Sequence, residues 1–289
     1  QLATETGAIH QQAQALAQLA SLASLAGQVT EARALSDRVL TLASKERMPA
    51  LAVSALNGTG SAFLAQLNWA EAETYFRRAM ELAGRAGLSA GDATARFHLA
   101  QTLIRQNRTA EGLQLATAAI QYFEAGNYRE NLVASYGLIA DAAIQDGNNS
   151  EAVRASEDYL RQAELANLPM EIARARTRVG HMMLVRADFP GAIRHAALLR
   201  EQYQREGRDL QVFISLTNQI LYHVHLADVA GARSILQAAR RQAARVGKQN
   251  AQPLLWRIGS GEALVAALEG EPAQGLPHLA QARRDAGSH

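Results

Sequence analysis

Small residues recur at a fixed interval of forty along most of the chain. This column consists of Ala32, Ala72, Gly112, Ala152, Ala192 and Ala232. A fixed period of this length indicates one supersecondary unit copied along the chain, with each copy burying its apolar face against its neighbours. The column therefore predicts a repeat array rather than a single globular core.

A second column of residues, also spaced in multiples of forty, marks helix ends. Its members are Gly7, Gly87, Asn127, Asn167, Gly207 and Gly247, with Arg47 as the exception. Glycine and asparagine tolerate the left-handed conformation of the residue just past a helix end. Residues that suit a helix start follow two positions later, at Pro49, Ser89, Pro169 and Asp209.

A polar column indicates a second helix start inside each unit. Gln28, Asn68, Asn148, Asp188 and Asp228 precede the small-residue column by four. A short polar residue, in several units with glutamate three positions later, is typical of a capping box. Each unit is therefore predicted to be an antiparallel helix pair, helix A followed by helix B. About seven units start near residues 9, 49, 89, 129, 169, 209 and 252, and residues 1–286 are predicted to form a single domain.

The chain ends carry two further expectations. Leu2 and Ala3 align with Leu42 and Ala43, so residues 1–6 are predicted to be the tail of a preceding helix B that ends at Gly7. Residues 287–289 read as a cloning remnant, and the sequence is expected to be part of a longer protein.

Composition excludes several function classes. Hydrophobic residues make up 48% of the chain and aromatic residues 5%, which favours alanine- and leucine-rich helices. The absence of cysteine excludes disulfides and thiolate chemistry. The balance of 29 basic and 27 acidic residues argues against nucleic acid as a partner. No apolar run approaches the roughly 20 residues of a membrane span, so no membrane association and a cytoplasmic location are expected.

The helix crossings resemble those of tetratricopeptide repeats. Twelve residues before the small-residue column, which we call the marker column, lie Ala20, Gly60, Ala100, Ala140 and Gly180. After it come Phe76, Ala79, Ala119 and Ala239. Residues 55–83 match this pattern best. The forty-residue unit is similar to those of MalT-like regulators, signal-transduction ATPases, and Rap-type and LGN-type arrays. HEAT repeats have a similar length, but they would not need small residues at both crossings.

The resemblance implies an all-α, right-handed α-solenoid whose A helices line an inner groove. By register, the residues predicted to face a peptide or protein partner are Asn57, Ser61, Phe97, Gln101, Arg105, Asp141, Gln145, Arg174, Thr177, His181 and His225. Asn57 and Gln101 would pair with a peptide backbone, and Arg105 and Arg174 would hold a carboxylate. The alternative is a solvated face that binds nothing. Ile220 departs from the pattern because it occupies a small position, which predicts irregular packing in the sixth unit.

A basic patch is predicted after Val229, in a stretch that contains no acidic residue up to Gly261. It comprises Arg233, Arg240, Arg241, Arg245 and Lys248. Such a stretch docks an acidic partner surface or nucleic acid, or is a solvated basic face, and the solvated face is the preferred interpretation.

Other motifs predict no chemistry. Asn57–Gly60 lacks the lysine and the strand of a phosphate loop, and Gly259–Gly261 lacks the strand of a nucleophile elbow. His223 and His225 point to different faces of a helix. No catalytic, metal or cofactor site is therefore predicted.

Two functions fit this sequence. The first is a non-catalytic scaffold for a protein or peptide, including another domain of the same polypeptide, within a larger bacterial signalling or regulatory protein. The second is an effector-sensing domain that recognises a small molecule or signal peptide, as in MalT-like regulators or signal-transduction ATPases.

Overall fold

The computed structural model describes residues 2–45 and 47–287, apart from the side chains of residues 2–8, 21, 25 and 248. This part of the chain forms fourteen α-helices and no strand. Their bounds are α1 Leu2–Leu25, α2 Val29–Lys45, α3 Pro49–Ala65, α4 Trp69–Ala86, α5 Ser89–Arg105, α6 Thr109–Ala125, α7 Arg129–Gln145, α8 Asn149–Leu165, α9 Pro169–Val185, α10 Phe189–Arg205, α11 Asp209–His225, α12 Val229–Val246, α13 Lys248–Leu268 and α14 Pro272–Ala286. The predicted all-α array of helix pairs is confirmed.

A left-handed residue ends almost every helix. Positive φ angles recur every twenty residues, at Gly27, Arg47, Leu67, Gly87, Asn107, Asn127, Gly147, Asn167, Ala187, Gly207, Ala227 and Gly247. The residue after it usually donates its N–H to a carbonyl five positions back, as Leu88 does to Ala83 at 2.9 Å. This pattern closes the end of a helix and reverses the chain within three residues. Arg47, the exception in the sequence column, adopts the same backbone conformation, with a φ of 55°.

Three of the B helices, α4, α10 and α12, begin at side-chain caps. Asp188 and Asp228 each accept a backbone N–H three residues on, from Gly191 and Gly231, both at 2.9 Å. Asn68 accepts the N–H of Glu71 at a longer 3.4 Å. Helices α3 and α9 instead begin with proline at the first position, which lacks an N–H and so leaves one donor fewer to satisfy.

Two predicted boundaries are wrong. Helix α1 runs from Leu2 through Gly7 without a break, so residues 2–6 are not a separate helix tail, and Gln1 lies outside the described residues. Glycine weakens a helix by about 1 kcal/mol, but it ends one only where the backbone turns left-handed. Helix α13 starts at Lys248, about four residues before the predicted start, and holds Pro253 in its second turn.

Glycine residues at the crossings let the helices approach each other closely. A Cβ on Gly60 would lie 2.6 Å from the ring of Phe76, and one on Gly112 would lie 2.6 Å from Cγ1 of Ile104. Ile220, predicted to disturb the sixth repeat, is fully buried, because Gly261 on α13 leaves the space that its Cγ2 occupies. The small residue at this crossing is Gly261 on the neighbouring helix instead of residue 220 itself. The predicted irregular packing of the sixth repeat is therefore wrong.

The chain divides into two compact units, residues 1–148 with α1–α7 and residues 149–289 with α8–α14. The core of the first unit includes Phe63, Tyr75, Phe76 and Leu99. A core cluster of the second unit includes Phe213, Leu216, Ile220 and Leu236. The boundary falls between the two helices of the repeat that starts near residue 129.

Candidate binding surfaces on the A helices

Three predicted residues share an open pocket in the first unit. Ser61 on α3 and Gln101 and Arg105 on α5 line it, together with Leu64, Ala65, Leu67 and Trp69. The exposed guanidinium of Arg105 forms no ion pair with any residue that the structure describes. These three side chains therefore lie together on one open surface.

Asn57 and Phe97 do not line this pocket. Asn57 is only 9% exposed, and its Oδ1 is buried without a hydrogen-bond partner. Phe97 lies edge-to-face on His98, with ring centroids 5.1 Å apart, and packs against the buried α5–α6 and α5–α7 contacts. Both side chains serve the packing between helices rather than an open surface.

His98 is a neutral histidine behind Gln101. Burial lowers the pKa of His98 to about 4, and the hydrogen bond with Gln101 only partly opposes this effect. Its ring stacks on Phe76 with a centroid distance of 5.3 Å. The amide of Gln101 is therefore already in use inside the first unit.

The two predicted residues of α7 lie outside the pocket. Nε2 of Gln145 donates to the carbonyl of Ile104 at 3.1 Å and also contacts Oδ1 of Asn107. Asp141 is half-buried on the same helix. Gln145 thus ties the end of α7 to the turn after α5.

A better-enclosed cavity of about 330 Å³ lies among α9, α10 and α11 in the second unit. Its lining residues are Arg176, Thr177, Gly180, His181, Leu184, Ala192, Ala196, Leu199, Tyr203, Gln211, Ile214, Ser215, Asn218 and Tyr222. We call this cavity the α9–α11 pocket. Thr177 and His181 are the two predicted residues that it brings together.

The walls of the α9–α11 pocket combine an apolar floor with polar groups. Ala192, Ala196 and Leu199 of α10 are among its apolar residues. The side chains of His181, Gln211 and Tyr222 form no hydrogen bond with the residues described, whereas Oδ1 of Asn218 accepts from Arg257. Burial raises the pKa of Tyr222 against the opposing charge of Arg257, so its phenol is a neutral donor at physiological pH.

Arg176 is a half-buried arginine in the wall of the α9–α11 pocket. Its side chain is 16% exposed and its Nη2 lies 3.0 Å from Oε1 of Glu164, while Nε is buried without a partner. Burial lowers the pKa of the neighbouring His195, and the charge of Arg176 adds to that effect.

The remaining predicted residues of the second unit lie outside the pocket. Arg174 is paired with Glu171 at 2.6 Å on its own helix. His225 stacks on Phe189 with ring centroids 4.8 Å apart and planes 13° from parallel. Among the residues described, no three histidine, cysteine or acidic residues are grouped as a metal site would require.

Two of the five residues of the basic patch pair with acidic residues of α13 and its C-cap. Arg233 binds Glu269 through two hydrogen bonds, at 2.7 and 2.6 Å, and Arg240 pairs with Glu262. Both acids follow the basic stretch in sequence, so the charge of the stretch alone does not include them. Arg241 and Arg245 stay exposed, and the side chain of Lys248 lies outside the described part.

The glycine motifs lie inside helices. Thr59 in α3 donates its hydroxyl to the carbonyl of Ala55 at 2.9 Å, and a Cβ on Gly259 would lie 3.0 Å from the carbonyl oxygen of His278. Both motifs are therefore parts of helices, and Gly60 and Gly259 lie where helices pack closely. Within the described chain, no helix combines the length and the apolar character needed to span a bilayer.

Most residues of the α9–α11 pocket were not predicted from the sequence register, which selected only Thr177 and His181 among them. It selected His225, the last residue of α11, whereas the pocket is lined by Ile214, Asn218 and Tyr222, a stripe at i, i+4 and i+8 on the same side of that helix but further from its end. The size of the residues at each helix crossing would have indicated the pocket. Gly180 and Ala196 are too small to fill the space between α9 and α10.

Comparison with known proteins agrees with this architecture. The tetratricopeptide repeat family model matches residues 11–85. No curated protein matches the sequence.

Solved structures extend the likeness to most of the chain. The apo form of RapI has a TM-score of 0.63 at 12% identity, covering 96% of this chain and 98% of that one. A signal transduction ATPase with a tetratricopeptide repeat sensor from Pyrococcus horikoshii has a TM-score of 0.65 at 13% identity, covering 89% of this chain and 40% of that one. NprR in complex with its cognate peptide NprX has a TM-score of 0.51 at 14% identity, covering 93% and 75%. The chain therefore has a tetratricopeptide-type fold.

Proposed function

We propose that this tetratricopeptide-type array is a non-catalytic scaffold that binds a peptide, or an extended segment of a protein, at the α9–α11 pocket. The observation that carries the proposal is a concave site with an apolar floor and unused hydrogen-bonding groups on His181, Gln211 and Tyr222. An extended peptide supplies both apolar side chains and free backbone amides, so it complements such a surface.

The comparisons support this proposal without identifying the ligand. NprR, which shares the fold, was solved with its cognate peptide. We further propose that the array is the interaction or regulatory region of a larger bacterial signalling protein, where the partner is either a separate protein or another domain of the same polypeptide. The first-unit pocket around Arg105 is a second contact surface in this proposal.

A displayed peptide library selected on the whole chain tests the proposal. The His181→Ala/Gln211→Ala double variant removes side chains that form no internal hydrogen bond, so it should fold normally and lose most of the binding. Arg174→Ala is the matched control, because this exposed residue lies on α9 but outside the pocket. Selected peptides that bind the double variant as tightly as the original chain would rule out this site.

Effector sensing is the second candidate function. The pocket volume of about 330 Å³ lies at the lower end of the range for small-molecule sites, about 300–1,000 Å³. A ligand present at a hundred times its dissociation constant stabilises the folded state by about 2.7 kcal/mol. A thermal-shift screen of metabolites should then show a clear rise in melting temperature that His181→Ala/Gln211→Ala abolishes, and a flat screen would count against this candidate.

A further inference from the structure

The α9–α11 pocket coincides with an unusual pair of residues in the repeat. In each of the first six repeats, one residue on helix A lies twelve positions before the marker column and one on helix B lies four positions after it. We call these two residues the crossing pair. The six crossing pairs are Ala20/Ser36, Gly60/Phe76, Ala100/Ala116, Ala140/Ser156, Gly180/Ala196 and Ile220/Leu236.

The second repeat shows how a glycine in the crossing pair is normally compensated. Gly60 has no side chain, and the ring of Phe76 fills the space, with three ring carbons within 2.9 Å of where a Cβ would lie. Phe76 is completely buried as a result. An aromatic ring is therefore a side chain that this crossing can accommodate when helix A contributes only glycine.

The fifth repeat has the glycine but lacks the ring. Gly180 is paired with Ala196, the smallest crossing pair of the six. A Cβ on Gly180 would meet only Cβ of His195, at 3.8 Å. Both Gly180 and Ala196 are partly exposed, whereas the members of the other five pairs are all buried. Both residues line the α9–α11 pocket, so the pocket is the space that a phenylalanine at position 196 would occupy.

We propose that the α9–α11 pocket receives an aromatic side chain from the bound peptide, which takes the place that Phe76 fills in the second repeat. This inference rests on the proposed function and adds the chemistry of the residue recognised. The apolar floor of Ala192, Ala196 and Leu199 contacts the ring. His181, Gln211 and Tyr222 then hydrogen-bond the backbone amides that flank the aromatic residue.

The test compares N-acetyl-tryptophanamide with N-acetyl-alaninamide as probes on the whole chain, followed by NMR chemical shifts. The aromatic amide should bind at least ten times more tightly and should shift the resonances of α9, α10 and α11. Ala196→Phe fills the pocket from within, as Phe76 does, and should abolish that preference. Ala196→Leu is the second variant, because Leu236 already occupies the equivalent position in the next repeat. Arg174→Ala is the control and should keep the preference.

Two results would overturn the inference. One is equal binding of the two amides to the original chain, and the other is an aromatic preference that survives in folded Ala196→Phe and Ala196→Leu. The peptide library separates this failure from failure of the proposed function. If the selected peptides lack aromatic residues but their binding still depends on His181 and Gln211, the proposed function stands and the aromatic preference is wrong. An aromatic amide that binds while no peptide does would remove the proposed function instead.

Discussion

Helix α3 contains one glycine that packing requires and one that it does not. A Cβ on Gly60 would overlap the ring of Phe76, whereas a Cβ on Gly58 would meet nothing within 4 Å. Gly60→Ala should therefore lower the free energy of unfolding by about 1–3 kcal/mol through overpacking. Gly58→Ala should raise it by about 0.5–1 kcal/mol, because alanine is the better helix former. Urea unfolding of both variants measures the difference, and equal effects would contradict the packing role of Gly60.

The left-handed residues at the helix ends offer a second test at this scale. Ala227 has a φ of 53°, and Gly207 has a φ of 66°. Left-handed backbone costs roughly 1 kcal/mol in alanine and little in glycine. Ala227→Gly should stabilise the second unit, and Gly207→Ala should destabilise it by a similar amount. Thermal unfolding of the two variants should move in opposite directions; shifts of the same sign would show that side-chain contacts outweigh the backbone there.

His98 should make the first unit sensitive to acid. Its folded-state pKa of about 4 lies below the ordinary value of 6.5, so the unfolded chain binds a proton first as the pH falls. The stability that neutral His98 retains at pH 7 is therefore lost between about pH 6.5 and 4, by roughly 3 kcal/mol in total. His98→Phe keeps the stack on Phe76 but cannot titrate. Urea unfolding at pH 7 and 4.5 should show a smaller loss for this variant, and equal losses would contradict the assignment.

At the scale of the elements, two buried glutamines join the ends of helix pairs. Nε2 of Gln202 on α10 donates to the carbonyl of Pro169 at 2.8 Å, and Nε2 of Gln242 on α12 donates to the carbonyl of Asp209 at 3.0 Å. Each bond fixes the last turn of helix B to the first turn of helix A. Gln162 occupies the equivalent place on α8 but forms no such bond within the described part of the chain.

Replacing these glutamines should cost stability only where the bond exists. Gln202→Leu and Gln242→Leu should each lower the free energy of unfolding by about 1–2 kcal/mol, because a buried hydrogen bond is lost. Gln162→Leu is the matched control and should change it by less than about 0.5 kcal/mol. Chemical denaturation measures all three. A loss for Gln162→Leu as large as the others would show that leucine itself is poorly accommodated at this position.

The elements were far more predictable from the sequence than the contacts between them. Helix ends depend on local chemistry. The polar residues Asn68, Asp188 and Asp228 therefore predicted where B helices begin, and Gly87 and Asn127 predicted where helices end. The α9–α11 pocket exists because neither α9 nor α10 contributes a large side chain at their crossing. Predicting it requires Gly180 and Ala196 to be compared as a pair. The same limit applies to the basic patch, because Glu262 and Glu269, which pair with Arg240 and Arg233, lie outside the stretch that defined it. Gly7 shows the limit of a single column, because a glycine without a left-handed turn does not end a helix.

At the scale of the whole molecule, the division at residue 148 predicts how the chain loses structure. The stability of a repeat array is close to a sum of local terms. A destabilising substitution in one repeat therefore need not unfold every other repeat. Phe213 is fully buried in the second unit, and Phe213→Ala should destabilise that unit by about 3–5 kcal/mol. Hydrogen exchange should then accelerate in α11–α13 and stay unchanged in α3–α5. Phe76→Ala, equally buried in the first unit, is the reciprocal control and should reverse the pattern. Acceleration throughout the chain in both variants would show instead that the array unfolds as one cooperative body.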